Sequence, residues 1–171
     1  WCMSQAELPG DIRDAIGRVH YRQQSDFSVE SGYVQTLCAA VQNGNPLYWD
    51  GATADDVTGG PTAPLSMLSV WLRPHFWAPG RSASVKPLQL HFDLKERLGY
   101  PTAIVTGNEL VFHEPVRLGD RLSACQVLKS VSGLKQTKLG VGRFWVIEMQ
   151  YRNQREELVG KPVEVLIPSK L

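Results

Sequence analysis

The chain has 171 residues, 43% hydrophobic and 20% charged, which is the make-up of one globular domain and excludes a disordered or collagen-like polymer. Lys and Arg number 18 against 17 Asp and Glu, a formal net charge of +1, so no broad field of one sign exists to draw in nucleic acid. No apolar run approaches the roughly 18 residues that span a bilayer, and Trp1-Cys2-Met3-Ser4-Gln5 lacks the basic stretch and apolar core of a secretory signal. Cys2, Cys38 and Cys125 are odd in number and far apart, without CxxC spacing, which argues against a disulfide framework and a structural zinc site. Cys38 and Cys125 read instead as buried hydrophobes in a reducing, cytoplasmic protein. The chain opens on Trp1 without an initiator Met and stops at Lys170-Leu171 just past a strand, which leaves a processed chain or an excerpt of a longer protein open.

Residues 1–25 are mixed and polar and read as an N-terminal arm or a short surface helix, followed by a single domain over residues 26–171. Within that domain, Val29, Tyr33, Val34, Leu37, Cys38 and Val41 recur in steps of three and four, the repeat of one helical face, and Asn43-Gly44 supplies a stop. A loop rich in turn formers is expected from Asn43 to Pro64. Leu65 to Leu72 is almost continuously apolar, opened by Pro64 and closed by Pro74, and favours a short buried helix, although a buried strand of this length also fits. The rest reads as strands after a second loop at Pro74, Pro79 and Gly80. Ala103 to Phe112 and Leu122 to Val131 are two of them, with Gly119-Asp120 turning between. Trp145, Ile147, Met149 and Tyr151 alternate with Val146, Glu148, Gln150 and Arg152, the signature of a strand with a drier and a wetter face. Asn153 to Glu156 turns that strand into Leu158 to Ile167, and Gly133 to Gly142 is a flexible basic connection carrying Lys135 and Lys138. Helices early and antiparallel strands late give an α+β domain, a sheet of four to six strands wrapped on one helix. Such a sheet leaves an open edge, which predicts oligomerisation.

Three blocks carry the candidate chemistry: Asn43-Gly44-Asn45-Pro46-Leu47-Tyr48-Trp49-Asp50, then Gly59-Gly60-Pro61-Thr62-Ala63-Pro64, then Phe112-His113-Glu114-Pro115-Val116-Arg117-Leu118-Gly119-Asp120. In this order and spacing, from about Phe27 to Ile167, the chain resembles the MaoC-like hydratases and dehydratases of the hot-dog fold. The likeness is closest to the variant called FAS1-like dehydratase, the N-terminal half of two-domain MaoC proteins. The resemblance implies an antiparallel sheet wrapped around a central helix. It also implies a Gly-Asp-x-Asn-Pro-x-His block in catalytic members, whose Asp and His add water across a 2-enoyl thioester to give an (R)-3-hydroxyacyl product.

Aligned on Asn45-Pro46, the Asp position here is Asn43 and the His position is Tyr48. Asn accepts no proton near neutral pH and a phenol titrating near pH 10 is a poor base. Where catalytic members use a Gly N–H at the start of the central helix to hold the thioester oxygen, this chain has Leu65. The resemblance therefore implies a subunit with no catalytic residue of its own, paired with an intact MaoC-like chain in a heteromeric 2-enoyl-CoA hydratase. The degenerate half shapes the pocket for a bulky acyl group, a steroid side chain among the candidates. Asn45, Pro46, Tyr48, Ala63, Pro64 and Leu65 are the expected substrate-binding residues. Trp71 and Trp77 line an apolar tunnel or belong to the core or an interface, and Arg81 and Lys86 meet CoA phosphates or are solvated surface charges. No cofactor is expected, the coenzyme A thioester being the substrate. No metal is expected either, because His20, His75, His91 and His113 lack ligand spacing. Ser66 and Ser69 have no base in sequence reach and are not read as nucleophiles. Two rivals stand beside this reading: a self-sufficient dehydratase using Tyr48, Asn43 or Asp50, and a non-catalytic module that binds acyl-CoA or docks another enzyme.

Overall fold

A computed structural model describes residues 8–73, 75, 77, 79–80, 86–137 and 140–170, with side chains through 165. A seven-stranded antiparallel sheet runs in the order β1-β3-β6-β7-β5-β4, with β2 on the other side of β7. Its strands are β1 (Val19–Gln24), β2 (Thr102–Phe112), β3 (Ser123–Val131), β4 (Lys135–Thr137), β5 (Gly140–Gly142), β6 (Trp145–Arg152) and β7 (Leu158–Lys170). β5 pairs with the far end of β7, where Gly142 meets Ser169, beyond the Trp145–Leu166 pair that ends the β6 ladder, so β5 extends the line of β6. The helices are α1 (Gly10–Ala15), α2 (Ser31–Ala40), α3 (Gly51–Thr58) and α4 (Gln89–Leu98). This is the α+β hot-dog architecture that the sequence implies.

Several elements depart from the sequence expectations, each for a physical reason. β1 pairs antiparallel with β3, Val19 opposite Val127 and Gln24 opposite Ser123, so the sheet begins inside the stretch read as an arm. Its side chains are exposed or half-buried throughout, and a polar edge strand carries no alternation to detect. The basic connection 133–142 contains the β4–β5 hairpin, whose three-residue strands are too short to show a period. α4 was hidden in a stretch read as strand, although Leu90, Leu94 and Leu98 stand four apart and Gly99 caps it at φ 67°. α3 interrupts the expected loop and has no apolar stripe. Its signals are the Asp50 cap and Gly59 in the left-handed region.

The expected buried helix over Leu65–Leu72 is instead two 3₁₀ turns, Leu65–Met67 and Val70–Leu72. Arg73, the residue before Pro74, is extended at φ −78° and ψ 116°, which ends the second turn at Leu72. The side chains that matter still face the sheet, with Met67, Leu68, Trp71 and Leu72 buried. They join one core cluster with Val34 and Cys38 of α2 and with Met149 and Tyr151 of β6. A second cluster sets Leu90 and Leu94 of α4 and Ile12 of α1 against Leu128, Trp145 and Ile147. Cys38 and Cys125 are free and buried.

α4 is positioned by buried polar contacts. Gln126, 1% exposed, accepts the Leu90 N–H through Oε1 at 2.9 Å, which satisfies an amide at the open end of the helix. The Trp145 Nε1–H donates to His91 Nδ1 at 3.2 Å. Burial, with the Lys95 charge second, holds the imidazole below its usual value of 6.5. A histidine kept neutral in this way binds fewer protons folded than unfolded. Its stabilising effect is complete above pH 6.5 and is lost as pH falls towards and through the depressed value. Replacing His91 with Gln, which keeps an acceptor for Trp145, is expected to flatten the fall in melting temperature below pH 6.5, as read by thermal melts across pH.

Candidate functional site

The block at Asn43 is built as a series of turns. The Asn43 amide donates to the Cys38 carbonyl at 2.8 Å, closing α2, and Asn43 Oδ1 accepts the Asn45 N–H at 3.1 Å. Asn45 Oδ1 in turn accepts the Leu47 N–H at 3.1 Å and caps the 3₁₀ turn Pro46–Tyr48. The Trp49 indole N–H donates to the Asn43 carbonyl at 2.8 Å. Tyr48 packs half-buried against the first core cluster, and burial, with the Cys38 sulfur second, pushes its phenol above 10. Asp50 is the N-cap of α3, accepting from the amides of Ala52 and Thr53 and the Thr53 hydroxyl. The Thr53 hydroxyl, followed by those two amides, holds its carboxyl below the usual carboxylate range. The side chains at the positions of an acid–base pair are thus an amide committed to a turn and a phenol driven further from neutrality. The carboxylate of this block, Asp50, is engaged as the cap of α3.

The other two blocks hold each other. Ala63 N–H donates to the Val116 carbonyl at 2.8 Å and Leu118 N–H to the Pro61 carbonyl at 3.1 Å. The Arg117 guanidinium reaches the carbonyls of Thr58 at 2.7 Å and Gly60 at 3.4 Å. Gly60 adopts φ +140°, and a Cβ there would sit 3.2 Å from Arg117 Nη1, so glycine serves both the backbone angle and the close approach. Asp120, 3% exposed, accepts from the Arg117 amide at 2.8 Å and from Gln154 Nε2 at 2.9 Å. Its carbonyl accepts the Val29 N–H, while Val29's carbonyl accepts the Gly119 N–H, both at 2.8 Å. Ala63 and Pro64 are buried by this clasp, and Leu65, at the expected oxyanion position, is exposed.

Below the two 3₁₀ turns lies a cavity of about 270 Å³. Its buried floor is Leu68, Leu72, Met149, Tyr151 and Pro162, and its rim includes the exposed Ser66, Ser69, Arg73, Asn108 and Leu110. A Cβ on Gly160 would come within 2.5 Å of Leu68 Cδ2, so the first turn rests directly on β7 at a residue without a side chain. The Tyr151 phenol is pushed up to about 12 by burial first and the Glu164 charge second, against Arg73. Glu164, also lining the cavity, has its carboxyl raised by burial. A larger depression of about 590 Å³, with Arg22, Arg121 and Arg152 on its wall, contains no residue of the Asn-Pro or Gly-Gly-Pro blocks.

The sequence-predicted residues do not converge on the cavity. Asn45, Pro46 and Tyr48 form the turn above, and Ala63, Pro64 and Leu65 belong to the clasp. Trp71 is 1% exposed and packs edge-on to Phe27 and Tyr33 at 6.3 and 6.2 Å between ring centroids. Trp77 is 76% exposed. The Lys86 ammonium stands 4.8 Å above the Phe92 ring, and Arg81 lies outside the described residues. The cavity residues that sequence reasoning missed include Asn108, Leu110, Pro162 and Glu164. Met149 and Tyr151 were already legible as one strand face. A glutamate among the apolar residues of β7 was the available signal for the remainder.

Comparison with known proteins agrees with this architecture. A family model described as FAS1-like, dehydratase domain region, matches residues 14–161. The chain is 34% identical over 128 residues to the "Probable enoyl-CoA hydratase alpha subunit" of Thermomonospora curvata, covering 70% of this chain and 38% of that protein. It is 31% identical over 174 residues to the "3-oxo-4,17-pregnadiene-20-carboxyl-CoA hydratase alpha subunit" of Mycobacterium tuberculosis, covering 91% of this chain and 55% of the relative. The chain therefore spans about half or less of the length of these relatives. Among solved structures, the ChsH1-ChsH2 complex from Mycobacterium tuberculosis superposes with a TM-score of 0.76 at 25% identity, over 94% of this chain and 92% of that one. A MaoC-like dehydratase from Rhodospirillum rubrum gives 0.59 at 18% identity, over 90% and 94%, and speaks for the fold alone.

Asp120 tests the structural part of this arrangement. Asp120→Ala should cost about 1–3 kcal/mol, the penalty for leaving buried donors unpaired. Urea denaturation reads that loss, with faster amide exchange at Ala63 and Leu118. On its fold, its motif order and its matched length, the chain belongs to the FAS1-like dehydratase family of MaoC-like hot-dog proteins.

Proposed function

We propose that this chain is the non-catalytic hot-dog half of a heteromeric 2-enoyl-CoA hydratase, and that a partner MaoC-like chain supplies the Asp and His. One observation carries the reading. The two proton-moving positions are filled by Asn43 and Tyr48, one spent on a turn and the other a half-buried phenol, while a cavity is kept beneath the two 3₁₀ turns. The names of the two curated relatives, both hydratase alpha subunits, support a subunit role, as does the superposition on one chain of a two-component complex.

In the proposed complex the partner's acid–base pair takes a proton from water and returns one to the α-carbon, adding the hydroxyl at C3. This chain contributes binding. Its cavity receives the acyl group, with Leu68, Leu72 and Met149 as apolar walls, and exclusion of water there favours a large hydrophobic tail. A steroid side-chain thioester is the size class we favour, in line with the printed substrate of the mycobacterial relative. The short 3₁₀ cover, in place of a full helix, leaves the room. Lys86 and Arg81 are the cations we assign to the CoA phosphates. A cytoplasmic setting suits the unpaired thiols of Cys38 and Cys125.

The partner is assigned to β2. This strand pairs with β7 on one side, and among the described residues nothing pairs with its other edge. Ile104, Val105, Leu110 and Val111 are all more than 40% exposed along it. A long apolar edge is an aggregation hazard when free and an asset when paired with another sheet.

Two experiments bear on the reading. The chain alone is expected to hydrate no 2-enoyl-CoA, and its complex with a MaoC-like chain holding an intact Gly-Asp-x-Asn-Pro-x-His block is expected to do so. Tyr48→Phe should leave that activity within about twofold, since loss of a group outside proton transfer moves the barrier by less than about 0.5 kcal/mol. Robust turnover by the isolated chain, abolished by Tyr48→Phe, would sink the proposal in favour of a self-sufficient enzyme. Separately, Val105→Lys with Val111→Lys should abolish co-elution with the partner on size exclusion without unfolding this chain, both positions being exposed.

A further inference from the structure

The cavity has Gln23, Ser66, Ser69 and Arg73 among its polar lining residues, and on its sheet side Tyr151, Glu164 and Asn108 are left without hydrogen-bond partners among the described residues. Tyr151 is 4% exposed, yet its hydroxyl makes no hydrogen bond to a described residue and is not sealed off from the cavity. Glu164 lines the same space without a hydrogen bond or ion pair, although a half-buried carboxyl ordinarily has one. Its direct cross-strand neighbour on β2 is Asn108, which also lines the cavity and is likewise unbonded through its side chain. Arg73 stands at the rim within electrostatic reach of Tyr151. Elsewhere Gln126, Asp120 and Asn153 are buried and hydrogen-bonded, and the other buried side-chain group without a partner among the described residues is the Trp71 indole N–H. Packing alone would be served better by Phe at 151 and an aliphatic residue at 164, because an unpaired buried polar group costs free energy that an apolar one does not.

We infer that Tyr151 and Glu164 are specificity-determining residues that select acyl groups carrying an oxygen function, a ketone or a hydroxyl, well away from the thioester. This rests on the proposed role of the cavity as the acyl site. The phenol O–H donates to a ketone or hydroxyl oxygen. The Glu164 carboxyl accepts from a hydroxyl as the carboxylate and donates to a ketone once protonated, a form favoured by its burial. Asn108 offers both a donor and an acceptor beside it. An unsubstituted hydrocarbon tail of the same size would leave these groups buried and unpaired, and sites built to bond a substrate oxygen reject such analogues strongly. Discrimination here comes from the penalty on the wrong tail as much as from attraction to the right one.

The test uses the complex with the catalytic partner and three thioesters of one length: trans-2-dodecenoyl-CoA and its 11-oxo and 11-hydroxy counterparts. The wild-type complex should favour the oxygenated pair by about tenfold or more in kcat/KM, roughly what one buried hydrogen bond is worth. Tyr151→Phe should bring the 11-oxo preference towards unity, and Glu164→Met the 11-hydroxy preference, while turnover of the plain dodecenoyl thioester holds or rises. The melting temperature of Tyr151→Phe should be unchanged or higher, which separates ligand reading from a structural role. Equal kcat/KM for all three thioesters in the wild type, or a parallel loss on all three in the variants, would overturn the inference and leave the hydratase reading standing. If the complex hydrates none of them, the hydratase reading fails. The polar wall is then judged by calorimetric binding of 11-oxododecanoate against dodecanoate, where equal affinities for wild type and Tyr151→Phe overturn it.

Discussion

The inner face of the sheet has to be covered, and the segment available to cover it is too short. Met149 and Tyr151 of β6 and Pro162 and Glu164 of β7 point to the side where a cover is needed, and the chain offers nine residues, 65–73, between two prolines. Those residues reach the sheet at one firm point, where Leu68 sits over Gly160 and a methyl group would already crowd it. Trp71 and Leu72 extend the contact towards α2. What they leave bare becomes a cavity. In a close-packed interior such a gap is expensive, and a helix one or two turns longer would remove it. The gap stands under the same turns that begin at Leu65, so the open cover and the residue at the expected oxyanion position belong to one segment.

The same physics explains why the family likeness rests on scaffold contacts. The Gly-Gly-Pro and Pro-Val-x-x-Gly-Asp blocks are held to each other by backbone hydrogen bonds, by Arg117 on two carbonyls and by a buried Asp120 that anchors the turn to Gln154. None of these contacts needs a reacting group. The Asn-Pro turn is likewise kept by its own side-chain caps. In the proposed reading these blocks serve as scaffold, and positions 43, 48 and 65 carry no reacting group.

Much of this was legible in the sequence, where a period or a turn dipeptide was there to be read. The helix at α2, the β6–β7 hairpin and the inward row of Trp145, Ile147, Met149 and Tyr151 follow from spacing alone. What escaped had weak or conflicting signals. β1 is polar on both faces, β4 and β5 are three residues each, α3 lacks an apolar stripe, and α4 sits where antiparallel strands were expected on every side. The candidate pocket residues were drawn from the motif blocks, since motifs are what a sequence displays. The cavity is lined instead by residues from four strands, the covering segment and Pro87-Leu88, which share no motif. Glu164, between Val163 and Val165 in β7, was the trace of it.

β2 joins the two unfinished features of the molecule. Asn108 and Leu110 belong to β2, whose outer edge is free among the described residues, and also to the rim of the cavity, so the partner proposed along β2 would stand beside the cavity mouth. Binding energy spent on the edge therefore changes the environment of the pocket. The aqueous opening narrows, and the unpaired phenol and carboxyl within lose their remaining access to water. In that setting their penalty for lacking a partner rises and their attraction for a ligand oxygen rises with it, because hydrogen bonds strengthen as the local dielectric falls. Association with a partner and binding of an oxygenated acyl group would then favour each other by one and the same coupling free energy, as linkage requires. A pocket that is half-open in the single chain and complete in the pair is what the short cover, the bare edge and the unpaired polar groups have in common.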